Sequence, residues 1–400
     1  MPERSEPTAR PLRVLFVIGS LDGGGSEGQL VELLARAHPG RVLASLVTLH
    51  PSEHPGHSAR VAAMGIDHRV LTPASGPRPV RVATATRNLG AAMRRTRPDV
   101  VYAWLEESGL LAGPVAHALG IPIVVARRNV AGAYAERSKA VGTAIRRAER
   151  LAAIVTANSP AVVEAAVRRG IAPERLRLVP NGHPCAAPLP LPGGSTVRLG
   201  YLARMRPEKG HRRLLSVLAA LPADLDWRME LGGDGPLTSE VRAEAGRLGL
   251  AGRIAFSGRV DDARAFWARQ SVAVLLSDHE GCPNALIEAA MAGRPIVATD
   301  VGGTPEVVAP SGGVLVDPAR PDLAAAALRR FAGDPDLCRR TGAAAHAQAV
   351  ERFSGERATE DHLRALAEAA DMREAAPAEA LTGERRPRLP PRRALARARL

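Results

Sequence analysis

The sequence predicts an α/β chain of two consecutive, doubly wound parallel sheets, and three observations carry that expectation. Short apolar runs alternate with helical stretches along most of the 400 residues. The alternation breaks once, at residues 181–196, which hold four Pro and three Gly, and then restarts. The apolar complement is aliphatic: 46% of residues are apolar and only 3% aromatic. Strands separated by helices pair in parallel through right-handed crossovers. A sheet covered by helices on both faces suits a core of Val, Leu, Ile and Ala.

In the first half, residues 13–20 read as a buried strand and 26–37 as the helix that follows. Residues 42–49, 99–104, 122–126, 152–157 and 176–180 read as further strands, with helical patterns between most of them. After the break, residues 197–203, 227–231, 253–257, 271–276, 295–299 and 313–316 repeat the pattern. Helices are expected at 321–331, 335–352 and 361–372. Each half reads as a Rossmann-like unit. The expected organisation is a first domain at 12–182, a linker at 183–196, a second domain at 197–355, a closing helix at 356–372 and a basic disordered tail at 373–400.

Charge and cysteine content exclude several classes. The net charge is +13. Residues 381–400 carry seven Arg and one Glu, a net of +6, which leaves +7 over the other 380 residues. The tail reads as a solvated segment or as a basic stretch touching anionic membrane. Neither aromatic platforms nor recognition motifs of a nucleic-acid module are present. Cys185, Cys282 and Cys338 are too far apart for a disulfide framework or a zinc site, which favours a cytoplasmic setting. No stretch approaches about 18 apolar residues, so no membrane helix is expected. Residues 1–13 lack the apolar run of a secretory signal.

The segment richest in chemistry runs from Ser277 to Glu288. It follows an apolar strand, so Glu280 lies where ligands bind in open α/β sheets, beyond the carboxyl ends of strands. Pro283 and Asn284 are helix-start residues, and the free amides of that first turn favour a phosphate. Glu288 lies one turn further, within reach of a ribose. Two isolated glutamates would read as solvated surface residues, but three other strand-end turns converge on this edge. The loop Gly200 to Gly210 delivers Arg204 and Lys209, cations suited to a departing diphosphate. Leu231-Gly232-Gly233-Asp234-Gly235 permits close backbone approach to a planar ring. Asp300-Val301-Gly302-Gly303-Thr304-Pro305-Glu306 opens a new helix, with Thr304 as the expected cap.

These motifs together resemble the retaining GT-B glycosyltransferases of family 4. The two glutamates separated by seven intervening residues, Glu280 and Glu288, match that family's hallmark, and the other three turns match in order. The resemblance is strong over 197–353 and looser over 12–182. It implies two domains facing across a cleft and transfer of a sugar from a nucleotide-sugar donor, with retention, to a sugar- or lipid-linked acceptor. By that resemblance Arg204, Lys209 and Glu280 are the catalytic set, with the two cations gripping the diphosphate. Glu288 holds the ribose, the backbone at Asn284, Ala285 and Leu286 binds the diphosphate, and Gly233 and Gly281 adjoin the donor. No cofactor and no metal are expected; no Asp-x-Asp occurs. The implied setting is polysaccharide, glycolipid or glycoconjugate biosynthesis, cytoplasmic, with peripheral membrane contact through the tail.

The first half leaves rival readings open. Gly23, Gly25 and Gly28 satisfy the dinucleotide fingerprint Gly-x-Gly-x-x-Gly, the mark of an NAD(P)-dependent oxidoreductase. The acid that fingerprint needs at the end of the second strand is absent, since Thr48-Leu49-His50-Pro51 reaches no acid before Glu53. The family instead carries a Gly-Gly-x-Glu loop facing the donor, matched by Gly24, Gly25 and Glu27. An epimerase of the same fold and an inactive GT-B binding protein also remain. His50, His54 and His57 read as a solvated loop rather than a metal site. Many family members place a histidine near Arg127 and Arg128. The substitution implies an anionic acceptor or an extra phosphate grip, against the alternative of a structural pair. Asn158 and Asn181 resemble cleft-lining turns.

Overall fold

The computed structural model describes residues 10–22, 24–54, 56–72, 77–130, 139–308 and 311–374. Gly23 and the tail from 375 onward lie outside the described residues.

The first sheet is formed by β1 (Leu12–Ile18), β2 (Val42–Thr48), β3 (Asp67–Val70), β4 (Val100–Trp104), β5 (Ile123–Arg127), β6 (Ile154–Ala157) and β7 (Leu176–Leu178). Its order is β3-β2-β1-β4-β5-β6-β7, with every pairing parallel. Between the strands run α1 (Gly25–Ala37), α2 (Gly56–Ala63), α3 (Arg78–Thr96), α4 (Glu106–Ala118), α5 (Lys139–Arg150) and α6 (Pro160–Arg168). The central strands β4, β5 and β6 are buried along their whole length. β3 is absent from the sequence expectation. It is a polar edge strand, Asp-His-Arg-Val, with no buried residue, so no apolar pattern announces it.

The second sheet repeats the winding. It comprises β8 (Val197–Leu202), β9 (Trp227–Gly232), β10 (Ile254–Gly258), β11 (Val272–Leu275), β12 (Ile296–Thr299) and β13 (Gly313–Val316), ordered β10-β9-β8-β11-β12-β13 and again all parallel. Its helices are α7 (His211–Ala219), α8 (Thr238–Arg247), α9 (Ala263–Ala268), α10 (Asn284–Met291), α11 (Thr304–Val308), α12 (Pro321–Gly333) and α13 (Pro335–Phe353). One apolar core fills this half. The first half has two, one on each face of its sheet. Strand order reverses between β1 and β4 and between β8 and β11, which opens a crevice at each carboxyl edge.

A last helix, α14 (Gly355–Glu374), leaves the second half and packs on the first. Ala365, Leu366 and Ala369 join the core that holds Val14, Phe16 and Tyr102. Arg177 pairs with Glu368, Nε to Oε2 at 2.9 Å, and Arg41 pairs with Glu360 at 2.7 Å. The chain thus crosses between the halves twice, and the crossings are bonded to each other. His183 N donates to Phe353 O, and Gly355 N donates to His183 O, each at 2.8 Å. Residues 184–196 form neither helix nor strand, but Asn181, Gly182 and His183 ahead of them are buried.

Candidate active site

The loops after β8 and β11 meet at the reversal point of the second sheet. Lys209 Nζ donates to Glu280 Oε1 at 2.6 Å, and Ser277 Oγ donates to the same oxygen at 2.7 Å. Thr299, at the end of β12, donates to Ser277 O at 2.6 Å. Tyr201 joins the two loops: its hydroxyl accepts from Leu276 N at 3.0 Å and donates to Lys209 O. Glu280 is buried at 8% exposure, so this pair is held in a medium where charge-assisted hydrogen bonds are strong. The ammonium of Lys209 retains two further donors for a ligand. Arg204 is exposed, and across the crevice it faces Glu27, whose carboxyl is pushed up by burial and drawn back by that cation.

Helix α10 begins beside this pair. The amides of Asn284 and Ala285 make no backbone hydrogen bond among the described residues. The amide of Leu286 donates to Pro283 O at 3.1 Å, which leaves two of the three amides without a backbone partner among the described residues. One turn on, Glu288 has no side-chain partner among the described residues, and burial pushes its carboxyl up to about 8. A carboxyl that keeps its proton at neutral pH can both donate to and accept from vicinal hydroxyls.

The glycines serve close approach of backbone. Gly302 has φ +51°, and a side chain there would overlap the carbonyl oxygen of Glu280, while Gly303 N donates to that oxygen at 3.1 Å. Gly233 has φ +118° and packs against the Ala203 carbonyl, so a side chain there would collide with the neighbouring loop. Thr304 does not cap α11 through its side chain; its buried Oγ1 lacks a partner among the described residues.

The first domain closes the floor of the cleft. Gly24 caps the start of α1. A Cβ on Gly25 would lie 2.6 Å from Asn284 Nδ2, and one on Gly281 would overlap Arg128 O. Asn181 Nδ2 donates to Asn284 Oδ1 at 2.8 Å and to Cys282 O at 3.2 Å. Asn158 Nδ2 reaches Asn181 Oδ1 at 3.4 Å. His183 Nε2 lies 3.0 Å from Asn284 Oδ1, and burial holds its ring down to about 4, neutral at physiological pH. Gln29 of α1 clamps the start of the linker, accepting from Gly182 N at 2.7 Å and donating to Gly182 O at 3.0 Å.

Residues 196–334 match the model for glycosyl transferases group 1, and residues 23–186 match that for Glycosyltransferase Family 4. The 2-deoxystreptamine glucosyltransferase of Streptomyces kanamyceticus is 30% identical over 275 residues, spanning 60% of this chain and 70% of that protein. The chain belongs to the glycosyl transferases group 1 family. The lipopolysaccharide core biosynthesis glycosyltransferase LpsE of Rhizobium meliloti is 29% identical over 283 residues, 68% of this chain and 77% of that protein. The solved structure of Anabaena Alr3699/HepE in complex with UDP-glucose shares the fold, with a TM-score of 0.76 at 21% identity over 89% of this chain and 99% of that one. The architecture of two facing Rossmann-like domains is GT-B.

In this group 1 glycosyltransferase the Arg127-Arg128 pair does not line the cleft for an anionic acceptor. Arg127 is 1% exposed and held between Glu106, at 3.1 Å, and Glu149 inside the first domain. Two buried carboxylates need a buried cation, which accounts for the arginine. Arg128 is 5% exposed and stacks over Trp104, 4.0 Å from the ring centroid. Its guanidinium donates to Asn181 Oδ1 at 2.5 Å and lies 3.3 Å from His362 Nε2, and burial pulls its pKa down to about 10. It therefore ties α14 to Asn181, and through Asn181 to the start of α10. Gln29, Tyr201 and His362 escaped the sequence reading because each works through partners distant in sequence. Among the described residues no group of three or more His, Cys, Asp and Glu could hold a metal ion. His57 lies in α2, not in a loop.

Proposed function

We propose that the chain moves a sugar from a nucleoside diphosphate donor to a hydroxyl of a sugar- or lipid-linked acceptor, with retention of anomeric configuration. The observation that carries the reading is the start of α10, set between the Lys209–Glu280 pair and Glu288, which has no side-chain partner among the described residues. The open amides of Asn284 and Ala285, with Lys209 and Arg204, stabilise the leaving diphosphate. These donors supply the charge that a divalent ion would bring, so the reaction is metal-independent. Glu288 takes the ribose and Glu280 the donor sugar. One oxygen of Glu280 already accepts two hydrogen bonds, which makes it a poor covalent nucleophile. The diphosphate oxygen instead accepts the proton of the hydroxyl attacking on the same face.

Binding of UDP-glucose by HepE supports a nucleotide-sugar donor, and the name of LpsE supports polysaccharide or glycoconjugate assembly. We place the work in the cytoplasm, at the inner face of the membrane through the basic tail. No described helix is long and apolar enough to cross a membrane.

The test is donor-dependent release of nucleoside diphosphate in the presence of EDTA. Lys209→Ala should slow it by roughly 10²–10³-fold, the loss expected for one charge-stabilising donor. Release at the wild-type rate by the variant would sink the assignment. A product with inverted configuration by proton NMR would remove retention.

A further inference from the structure

Three residues of α14, Ala365, Leu366 and Ala369, fill the first core with apolar atoms, but His362 on the same helix brings polar ones. It is 4% exposed. Its Nδ1 lies 2.7 Å from the Tyr102 hydroxyl, and its Nε2 lies 3.3 Å from Nη2 of Arg128. A guanidinium only donates, so Nε2 accepts. Burial, with the Arg128 charge beside it, holds the ring well below the usual imidazole range and so keeps it neutral. The one ring proton then sits on Nδ1 and is donated to Tyr102, whose own proton goes to Thr156 Oγ1 at 3.0 Å. Each group is satisfied in a single arrangement, and a buried network of that kind fixes its members in place.

Arg128 carries that order toward the second domain. The indole of Trp104 and the polar atoms of His362 and Asn181 hold its guanidinium in place. Because Arg128 Nη1 donates to Asn181 Oδ1, the Asn181 amide can turn only its Nδ2 to the second domain, where it donates to Cys282 O and Asn284 Oδ1. The Arg128 carbonyl lies against Gly281, where a Cβ would overlap it. From the other side Trp104 Nε1 donates to Ser26 O at 2.9 Å, which sets the start of α1, and Gly25 there lies against Asn284. Residues 281–284 join Glu280 to the open amides of α10. They are gripped by one cluster whose far end is His362.

We propose that His362 is a positioning residue for the transfer: by orienting Arg128, and Asn181 through it, His362 holds the start of α10 where its amides meet the donor diphosphate. The inference rests on the glycosyl-transfer reading. Hydrogen bonds weaken steeply as their angle departs from linear. A small turn of α10 therefore costs diphosphate affinity, although His362 itself stays inside the first domain, on the far side of Arg128.

Calorimetric titration of the full chain with UDP, ADP, GDP and dTDP identifies the tightest binder, which is then carried through the variants well below the melting temperature of each. His362→Phe keeps the ring and loses both nitrogens. It should bind that diphosphate about tenfold more weakly, the scale of one hydrogen bond to a charged group. His362→Gln, which retains an acceptor for Arg128 and a donor for Tyr102, should recover most of the affinity. In Asn181→Ala the relay is already cut, so adding His362→Phe should cost no further affinity, whereas independent structural losses would add. Unchanged affinity in His362→Phe, an equal loss in His362→Gln, or additive losses in the double variant overturns the inference, while binding by the wild type leaves the donor reading standing. Should His362→Phe not fold, Tyr102→Phe takes its place, with a weakening of about fivefold expected, the scale of one neutral hydrogen bond, and no weakening overturning the inference. Failure of the wild type to bind any of the four diphosphates overturns the glycosyl-transfer reading and the inference with it.

Discussion

Glu288 is half-buried one turn into α10 with no side-chain partner among the described residues, and desolvation raises its pKa from 4.5 to about 8. The folded state therefore binds more protons than the unfolded chain between those values, and stability falls as pH rises through that window. Glu288→Gln mimics the protonated acid and removes this dependence. Thermal melts at pH 6 and pH 9 should show a smaller drop in melting temperature for the variant than for the wild type. Equal drops would mean that Glu288 is already ionised at pH 6. The spacing of Glu280 and Glu288 is legible in the sequence because both sit on one strand–turn–helix segment. The environment of Arg127 is not, because its second carboxylate lies 22 residues away on α5. Its meaning depends on which side of β5 it occupies, and a single strand-end residue does not reveal that.

Elements bear on the site through backbone more than through side chains. The turn between β12 and α11 holds the Glu280 carbonyl by way of Gly302, at φ +51°, and the Gly303 amide. Gly302→Ala should cost about 1–3 kcal/mol through strain at that angle and slow transfer by shifting Glu280. Urea denaturation and steady-state rates check it; an unchanged midpoint with an unchanged rate counts against a structural role for this turn. The strands of both sheets could be read from apolar runs bounded by turn residues, since burial on both faces leaves that signature. β3 could not, because an exposed edge strand buries no face. For α14 the helical pattern was legible from Asp361 onward, while the closing segment was bounded at 356–372. Its first turn is polar and takes its place from the bonds between Gly355 and His183, which local pattern does not contain.

At the scale of the molecule, two similar sheets bring their reversal points to one cleft, and a polar seam of Asn158, Asn181, His183 and Asn284 lines its floor. That seam could be anticipated as turns but not as a network, because its members come from both domains. The core of the first domain is completed by Ala365, Leu366 and Ala369 from the far end of the chain. Covalent continuity through the exposed residues 184–188 is therefore not what holds the halves together. A protease that nicks the chain there should yield two fragments that travel as one particle in size-exclusion chromatography, the second fragment threading its last helix into the first. Two fragments eluting apart would show the opposite. By the same logic the first domain expressed alone is an unfinished fold, missing a wall that only its other half supplies, and adding back a peptide of residues 355–374 should restore it.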